Sequence, residues 1–595
     1  MVERLLNARK ILLAIICDNV MELQQQMDTV KAAKFVLPTA GVFEFEARLA
    51  IKDRNLAITC NKIRRETDAK YIFFLTALAT DFGNAFLTVI FNAFFYYPKV
   101  GIAGLMGSEM PISGDFTQAK EIYGSYFYKD EAGNIQRHGG KTFLLYQSVH
   151  VLDSGFFATS EDIPFDENIG DDFFLATQCC RYRRAGYDIG VVYSENVDVV
   201  FSADKCSYTP KNGDEYAQQL NVFRTRYKDV VTPLVSICIP SYNQPRFFEM
   251  ALQSALGQTY PNIEIIVGDD STNEDIKNLI QPYLQRFPNI KYFFHGKPLG
   301  KKGLRNMHFI INQSSGAYVN VLLHDDVLGA EKISRMMEYF VRDLKNKITL
   351  ITSARLLINE NNQILRRINP WQPSEDTILS GEEVGRKILF IKENFIGELS
   401  TVLLKRTTLL TKDPETGKEL FDIGIFCGVK DVAYGDIGTW LNLMKSGGDC
   451  VFIKDTLSAF RQHPAQNTYD PIMRIRLYIE FMNYINIAWL NNVFLHNWDE
   501  YVFCCKNWAL FASESKSIKF ETMSNEVRFF RTVIKKFFKL IAEGKYAEVF
   551  DYSIRFLLAT LPDNNSIHPL VKRNEQTGLW EKADNGVMLY GEQRC

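Results

Sequence analysis

At 595 residues the chain has room for roughly three or four units of ordinary domain size, and 46% apolar with 23% charged residues lets each bury a core. A formal charge of −2 lacks the basic excess that nucleic-acid binding needs, so no nucleic-acid partner is expected. The 11 cysteines are odd in number, scattered and without CxxC spacing, which predicts a reduced, cytoplasmic chain and argues against a disulfide framework.

The first segment, MVERLLNARKILLAIICDN, puts basic residues ahead of an apolar stretch, as a signal peptide does. The run from Ile11 to Cys17 is short and no small-residue cleavage site follows, so it is read as a first β-strand. Further β-like runs follow in KYIFFLTAL, KVGIAGLMG and IGVVYSENVDVVF. The apolar stretch AFLTVIFNAFFYY is too short to cross a bilayer, so a soluble protein is expected. Apolar density then drops through a polar helix and linker, which closes a first domain at 1–230.

A second domain, 231–470, starts with the buried-strand run PLVSICIPSYN. The helical pattern RFFEMALQSALGQT follows, with Phe248, Leu252, Ala255 and Leu256 on one face. The strand YPNIEIIVGDDS, the helix NEDIKNLIQPYLQRF, the strand IKYFFHG, a loop and helix, and the strand AYVNVLLHDDV complete the alternation. Strand and helix alternating at short spacing predict an α/β fold with a mostly parallel sheet. From 471 to 595 the β signal stops and a helical C-terminal region is expected.

The two halves echo each other in order. AKYIFFLTALATD sits in the first where GAYVNVLLHDDVL sits in the second, and FDENIGDDFFLATQCCRYRRAGYD parallels FDIGIFCGVKDVAYGDIGTWLNLMKSGGD. The chain is read as two copies of one fold.

Two acidic pairs, Asp269-Asp270 and Asp325-Asp326, end strands of the second half. In an open parallel sheet ligands bind beyond the carboxyl ends of the strands. Gathered carboxylates repel unless a positive charge is present. Mg²⁺ or Mn²⁺ suits oxygen ligands and bridges carboxylates to substrate phosphates. A nucleotide diphosphate would use both pairs, one reading base or ribose and the other holding the ion. Either pair alone reads as readily as a solvated turn; the two together favour the ligand.

PLVSICIPSYNQPRFFEMALQSALGQTYPNIEIIVGDDS resembles the opening of a family 2 glycosyltransferase of the GT-A fold. The matching positions are Pro240, Tyr242 and Asn243; Ser254, Gln258, Thr259 and Tyr260; and Asp269, Asp270 and Ser271. LRNMHFIINQSSGAYVNVLLHDDV is similar to the family's Arg-Asn helix leading into a DxD-type strand, and the resemblance runs from about 233 to 470. It implies two GT-A-like, nucleotide-diphospho-sugar transferase domains ahead of the helical region. It gives Asp270 the nucleobase with Asp269 near it, makes Asp326 the principal metal ligand, and sets Asp325 toward the ribose. Leu323 departs from the family's commonest spelling, and His324 is read as a packing or rim residue. Asp436, in YGDIGTWLNLMKSGG with Trp440, is the expected general base and would also serve as N-cap of a helix from Ile437 to Lys445; Asp431 competes with it. In AFRQHPAQNT, His463 would reach the diphosphate or the metal and Arg461 the phosphate oxygens. Arg305, with Lys301 and Lys302, would face the diphosphate.

The function so implied is an inverting, Mn²⁺- or Mg²⁺-dependent transfer from a nucleotide-diphosphate sugar, a UDP-sugar before others. The acceptor would be a hydroxyl of a glycan, lipid-linked or protein substrate, in cell-surface polysaccharide or glycoprotein biosynthesis. In the first half Thr76 and Ala77 stand where the metal site belongs, and Leu175 and Thr177 where acidic residues do, so that domain is expected to be degenerate. Asp81, Asp171 and Asp172 are the carboxylates that would restore it. The alternatives are a bifunctional two-site polymerase and a non-catalytic glycan- or protein-binding module. The basic amphipathic stretch RFFRTVIKKFFKLI would either rest on the inner face of a membrane, a peripheral contact, or pack its phenylalanines on the protein.

Overall fold

The computed structural model describes residues 6–583 apart from 34, 36–42, 84–85, 112, 143–144, 193–198, 203–212, 301–302, 413–418, 422, 424, 428, 431–434, 465, 467–470, 519–523 and 561–566. Lys301, Lys302 and Asp431, named above, lie outside the described residues. The chain divides into two compact units, Met1–Pro233 with Met337–Asn346, and Leu234–Met336 with Lys347–Cys595.

The first unit carries a sheet of β1 (Asn7–Cys17), β2 (Glu44–Ile51), β3 (Ala69–Leu75), β4 (Val100–Gly104), β5 (Tyr146–Ser148), β6 (Phe156–Thr159) and β7 (Asp188–Val192). Their order across the sheet is β2-β1-β3-β6-β4-β7-β5. β1 runs parallel to both β2 and β3, and β4 parallel to β7, while β6 lies antiparallel between β3 and β4. The run Ile11 to Cys17 is buried throughout, as a strand covered on both faces must be.

In the second unit the principal strands are β8 (Val235–Ser241), β9 (Ile263–Asp269), β10 (Ile290–Phe294), β11 (Tyr318–Val321), β12 (Ile348–Asn359), β13 (Leu403–Lys405) and β14 (Asp449–Gln462). They lie in the order β10-β9-β8-β11-β13-β12-β14. β8, β9, β10 and β11 form parallel pairs, as do β12 and β14, and β13 is antiparallel to both of its neighbours. Both units thus show the same succession: parallel strands, one reversed strand, then a parallel pair. The first unit lacks a counterpart of β10, because the helix Leu56–Glu66 carries the chain from β2 directly to β3. The expected α/β fold with two related, mostly parallel sheets is what the chain adopts.

Local chemistry sets the covering helices. α1 (Pro245–Leu256) starts with proline in its first turn, where no N–H is needed, and buries Phe248, Ala251, Leu252 and Ala255 on one face. α2 (Leu304–Asn312) follows Gly303, whose φ of 88° is open to glycine and costly for other residues. α3 (Gly381–Ile391) begins with a capping box between Ser380 and Glu383. α4 (Gly435–Lys445) carries Trp440 fully into the core.

Four further helices, Pro471–Leu490, Trp498–Ala512, Asn525–Ala542 and Tyr546–Thr560, pack into the core of the second unit. In Asn525–Ala542 the residues Val527, Val533, Ile534, Phe537, Leu540 and Ile541 are buried, and Lys535, Lys536 and Lys539 are exposed. Its apolar face therefore belongs to the protein core, with Phe537 edge-on to Trp508 at 5.4 Å. Among the described residues no helix is long and apolar enough to cross a membrane.

Candidate functional site

β8 and β9 run side by side with Ser241 opposite Asp269, and β11 flanks β8 on its other edge with Val321 opposite Cys238. The loops leaving these three parallel strands therefore open onto one edge of the sheet. A cleft of about 600 Å³ lies there. Its walls include Pro240, Tyr242, Gln244, Asp270, Asn306, His324, Asp325, His463 and Gln466. Of the residues expected at the nucleotide, Pro240, Tyr242, Asp270, Asp325 and His463 come together on these walls.

The two acidic pairs split in the same way: one member faces the cleft and the other faces inward. Successive residues of a strand point to opposite sides. Asp270 lines the cleft, and its Oδ1 is shielded from solvent with no partner among the described residues. Burial raises its pKa above the ordinary carboxylate value against a hydrogen bond from the Leu299 N–H. Asp269 is fully buried and saturated: it accepts from the Tyr292 hydroxyl at 2.7 Å and the Ser271 N–H at 2.9 Å. It braces the strand end rather than lining the cleft.

At the second pair the structure corrects the expected order. The chain turns sharply after β11, with the Asp326 N–H donating to the Leu323 carbonyl at 3.0 Å. The turn leaves Asp325 on the cleft wall and sends Asp326, 0% exposed, into the layer beneath. Asp325 Oδ2 receives His463 Nε2 and Gln466 Nε2, each at 3.1 Å. Burial works to raise the Asp325 pKa, but these hydrogen bonds, that of His463 first, hold it below the usual range. Asp326 Oδ1 accepts the Arg461 N–H at 2.9 Å. Burial, and then the charge of Asp325, push the Asp326 pKa well above the ordinary value. Beneath it lies buried Lys332, whose Nζ donates to the carbonyls of Ser400 and Thr401 at 2.8 and 2.7 Å. Burial drops its pKa to about 7, although Asp326 opposes the shift.

Arg461 is likewise corrected. Its side chain is fully buried and does not reach the cleft. Nε donates to the Asp325 carbonyl at 2.7 Å, and Nη1 to the Asn359 carbonyl at 3.0 Å and Asn362 Oδ1 at 2.7 Å. The guanidinium also stacks 4.8 Å from the Phe247 ring centre. Arg461 thus clamps the end of β14 to the acidic turn, and two residues later His463 is delivered to Asp325.

Asn243, with φ of 49°, ties the loop after β8 to the loop after β9 through its N–H to Ser271 Oγ at 2.9 Å and its side chain to Thr272. It positions the cleft without lining it. Arg305 is exposed and donates to the Leu299 carbonyl at 3.3 Å, beside Gly300 on the cleft rim. Asp436 is half-buried in the first turn of α4, one residue inside the helix rather than capping it. Its Oδ2 accepts from Asn394 Nδ2 at 2.8 Å and its Oδ1 from the Ile437 N–H at 2.9 Å. Asn394 Nδ2 also donates to the Gly397 carbonyl at 3.0 Å, and Trp440 Nε1 donates to the same oxygen at 3.1 Å. Asp436 is not among the residues walling the cleft.

Several site residues were not singled out in the sequence. Asn306 is fixed on α2 by donating to the Gly268 carbonyl at 2.8 Å, which leaves its Oδ1 buried without a partner. Gln244 Oε1 is in the same state. Gln466 was discoverable only as a polar residue three positions after His463. In the first unit the residues after β3 are Thr76, Ala77, Leu78 and Ala79, and fully buried Gln26 bonds the Ala79 carbonyl at 2.7 Å and its N–H at 3.3 Å. Asp171 is spent on the Leu56 N–H at 2.8 Å and on Lys52 at 3.4 Å.

Residues 37–224 match the model of a glycosyltransferase-like family, and residues 236–380 match that of glycosyl transferase family 2. The chain carries two glycosyltransferase domains, and the one in the second unit is of the family 2 type. An uncharacterized glycosyltransferase of Rickettsia felis is 36% identical over 144 residues, which is 24% of this chain and 23% of the relative. The GalNAc(5)-diNAcBac-PP-undecaprenol beta-1,3-glucosyltransferase of Campylobacter jejuni is 32% identical over 174 residues, 29% of this chain and 52% of the relative. The chain therefore spans between about a quarter and a half of the length of these relatives. The crystal structure of S. aureus TarS 1–349 aligns with a TM-score of 0.36 at 11% identity, over 59% of this chain and 97% of that one.

Proposed function

We propose that this family 2 glycosyltransferase is an inverting, metal-dependent enzyme with one active cleft, in the second unit, that moves a sugar from a UDP-sugar to an acceptor hydroxyl. The supporting observation is that Asp270, Asp325 and His463 line the same cleft. Asp270 Oδ1, Asn306 Oδ1 and Gln244 Oε1 stand there as shielded acceptors with no donor among the described residues. A buried acceptor left unpaired is costly, so such atoms point to a ligand that supplies N–H or O–H groups, as a nucleobase and ribose do.

The donor set fits a divalent ion. Asp325 offers a carboxylate and His463 an imidazole from the same wall. Among the described residues no group of three His, Cys, Asp or Glu side chains is gathered for a metal, so diphosphate oxygens and water would complete the shell. Carboxylate suits Mg²⁺ and Mn²⁺ alike, and the imidazole favours Mn²⁺. The bound ion would supply neutralisation of the charge that develops on the departing diphosphate. Asp325 and His463 hold that end of the donor, Asp270 holds the base, and Arg461 keeps the acidic turn in register with His463.

Asp436 is assigned as general base. Asn394 orients its carboxylate, which would take the proton of the attacking hydroxyl. The polyprenol-diphosphate-linked acceptor in the name of the Campylobacter relative supports a lipid-linked glycan here, at the cytoplasmic face of a membrane. With most of its apolar face buried, the helix Asn525–Ala542 would meet such a surface through exposed Arg528, Phe529 and its exposed lysines. Release of UDP from UDP-sugars in the presence of Mn²⁺ tests the reading. Turnover lost on Asp325→Ala supports it, and turnover that persists in that variant contradicts it.

A further inference from the structure

The cleft residue that the proposed mechanism leaves unused is His324. Its Nδ1 sits 3.2 Å from the Pro240 carbonyl. A carbonyl only accepts, so Nδ1 carries the proton and Nε2 is left with a lone pair. That Nε2 is shielded from solvent, has no partner among the described residues, and belongs to a side chain lining the cleft.

We infer that His324 Nε2 is the acceptor for a ribose hydroxyl of the nucleotide donor, and so makes the cleft discriminate ribonucleotides from deoxyribonucleotides. The assignment rests on the nucleotide reading proposed above. Three features of the structure carry it. A lone-pair acceptor has nothing to offer a diphosphate, which presents only acceptors of its own, whereas each ribose hydroxyl brings a donor. His324 is also tethered where the two halves of a nucleotide must join: it precedes Asp325, the diphosphate-side carboxylate, and bonds to Pro240. The next residue, Ser241, accepts the N–H of Asp270, the base-side carboxylate, at 3.0 Å. In a nucleotide the group between base and diphosphate is the ribose. Finally, Leu323, the residue before His324, is apolar and its N–H is taken by Ser400 Oγ at 3.0 Å, so it offers a hydroxyl nothing.

The test is calorimetric titration of UDP, 2′-deoxy-UDP and 3′-deoxy-UDP, each with Mn²⁺, into the wild type and into His324→Asn. The asparagine amide keeps a donor for the Pro240 carbonyl and removes Nε2. The wild type is expected to bind UDP about tenfold more tightly than at least one deoxy analogue, a ratio worth one hydrogen bond. In His324→Asn that ratio should fall to about one, mostly through weaker UDP binding. Equal losses for UDP and both analogues would make His324 structural and overturn the assignment. So would a raised Mn²⁺ requirement with the ratio intact, which would make Nε2 a metal ligand. A wild type that binds UDP equally with its deoxy analogues overturns this inference alone. A wild type that binds no UDP with Mn²⁺ overturns the nucleotide reading as well.

Discussion

Asp325 and Asp326 are adjacent and chemically identical, yet their surroundings shift their pKa values in opposite directions. The sequence marks the pair, and the strand pattern places it at a sheet edge. Which member faces the cleft is decided by the turn to Leu323 and by Arg461, whose N–H comes from 135 positions along the chain. No local pattern carries that information, so the sequence does not tell which of the two lines the cleft. The layer beneath has a pH signature of its own. Lys332 has a folded pKa of about 7, below the unfolded value of about 10.4, so between these the unfolded chain binds more protons. Its contribution is fully present above the upper value and is lost as pH falls toward the lower one. Urea midpoints should therefore rise from about pH 7 to about pH 10 more steeply in the wild type than in Lys332→Met. Parallel curves would show that Lys332 is charged in the folded protein. At the acceptor end, Asp436→Asn should keep UDP affinity and lower kcat by about a hundredfold or more, the ordinary share of a general base. An unchanged kcat would move the base elsewhere.

The strands and helices that build the site are those with the plainest patterns. β8 and β9 are near-continuous apolar runs because both faces are covered, and α1 shows its buried stripe at helical spacing. β2 was missed because EFEARLAI carries charges along a half-exposed edge, and β13 because three residues are too few to form a pattern. The joint between β9 and α2 was also illegible. A Cβ on Gly268 would lie 2.0 Å from Asn306 Oδ1 and 2.5 Å from Ile310 Cγ2. Gly268→Ala should push α2 outward and cost about 1–3 kcal/mol, the usual range for overpacking, with weaker UDP binding because Asn306 moves. Chemical denaturation and calorimetry check both. Wild-type values for each would mean that α2 yields freely and does not shape the cleft.

At the scale of the whole chain, the duplication was legible as an ordered echo of weak segments and is visible as the same strand succession in both units. The echo also sets uncharged residues of the first unit beside the acidic pair of the second. Thr76 and Ala77 stand after β3 where a metal site is expected, and Gln26 bonds the backbone of Ala79 just beyond them. A chain with one working cleft should lose all sugar-nucleotide turnover when that cleft alone is disabled. The most direct measurement is titration of UDP with Mn²⁺ into the wild type, Asp325→Asn and Asp326→Asn. Binding by the wild type and by Asp326→Asn, with affinity at least tenfold weaker or undetectable in Asp325→Asn, is the predicted result. Undiminished binding by Asp325→Asn, or its loss in a folded Asp326→Asn alone, would contradict it.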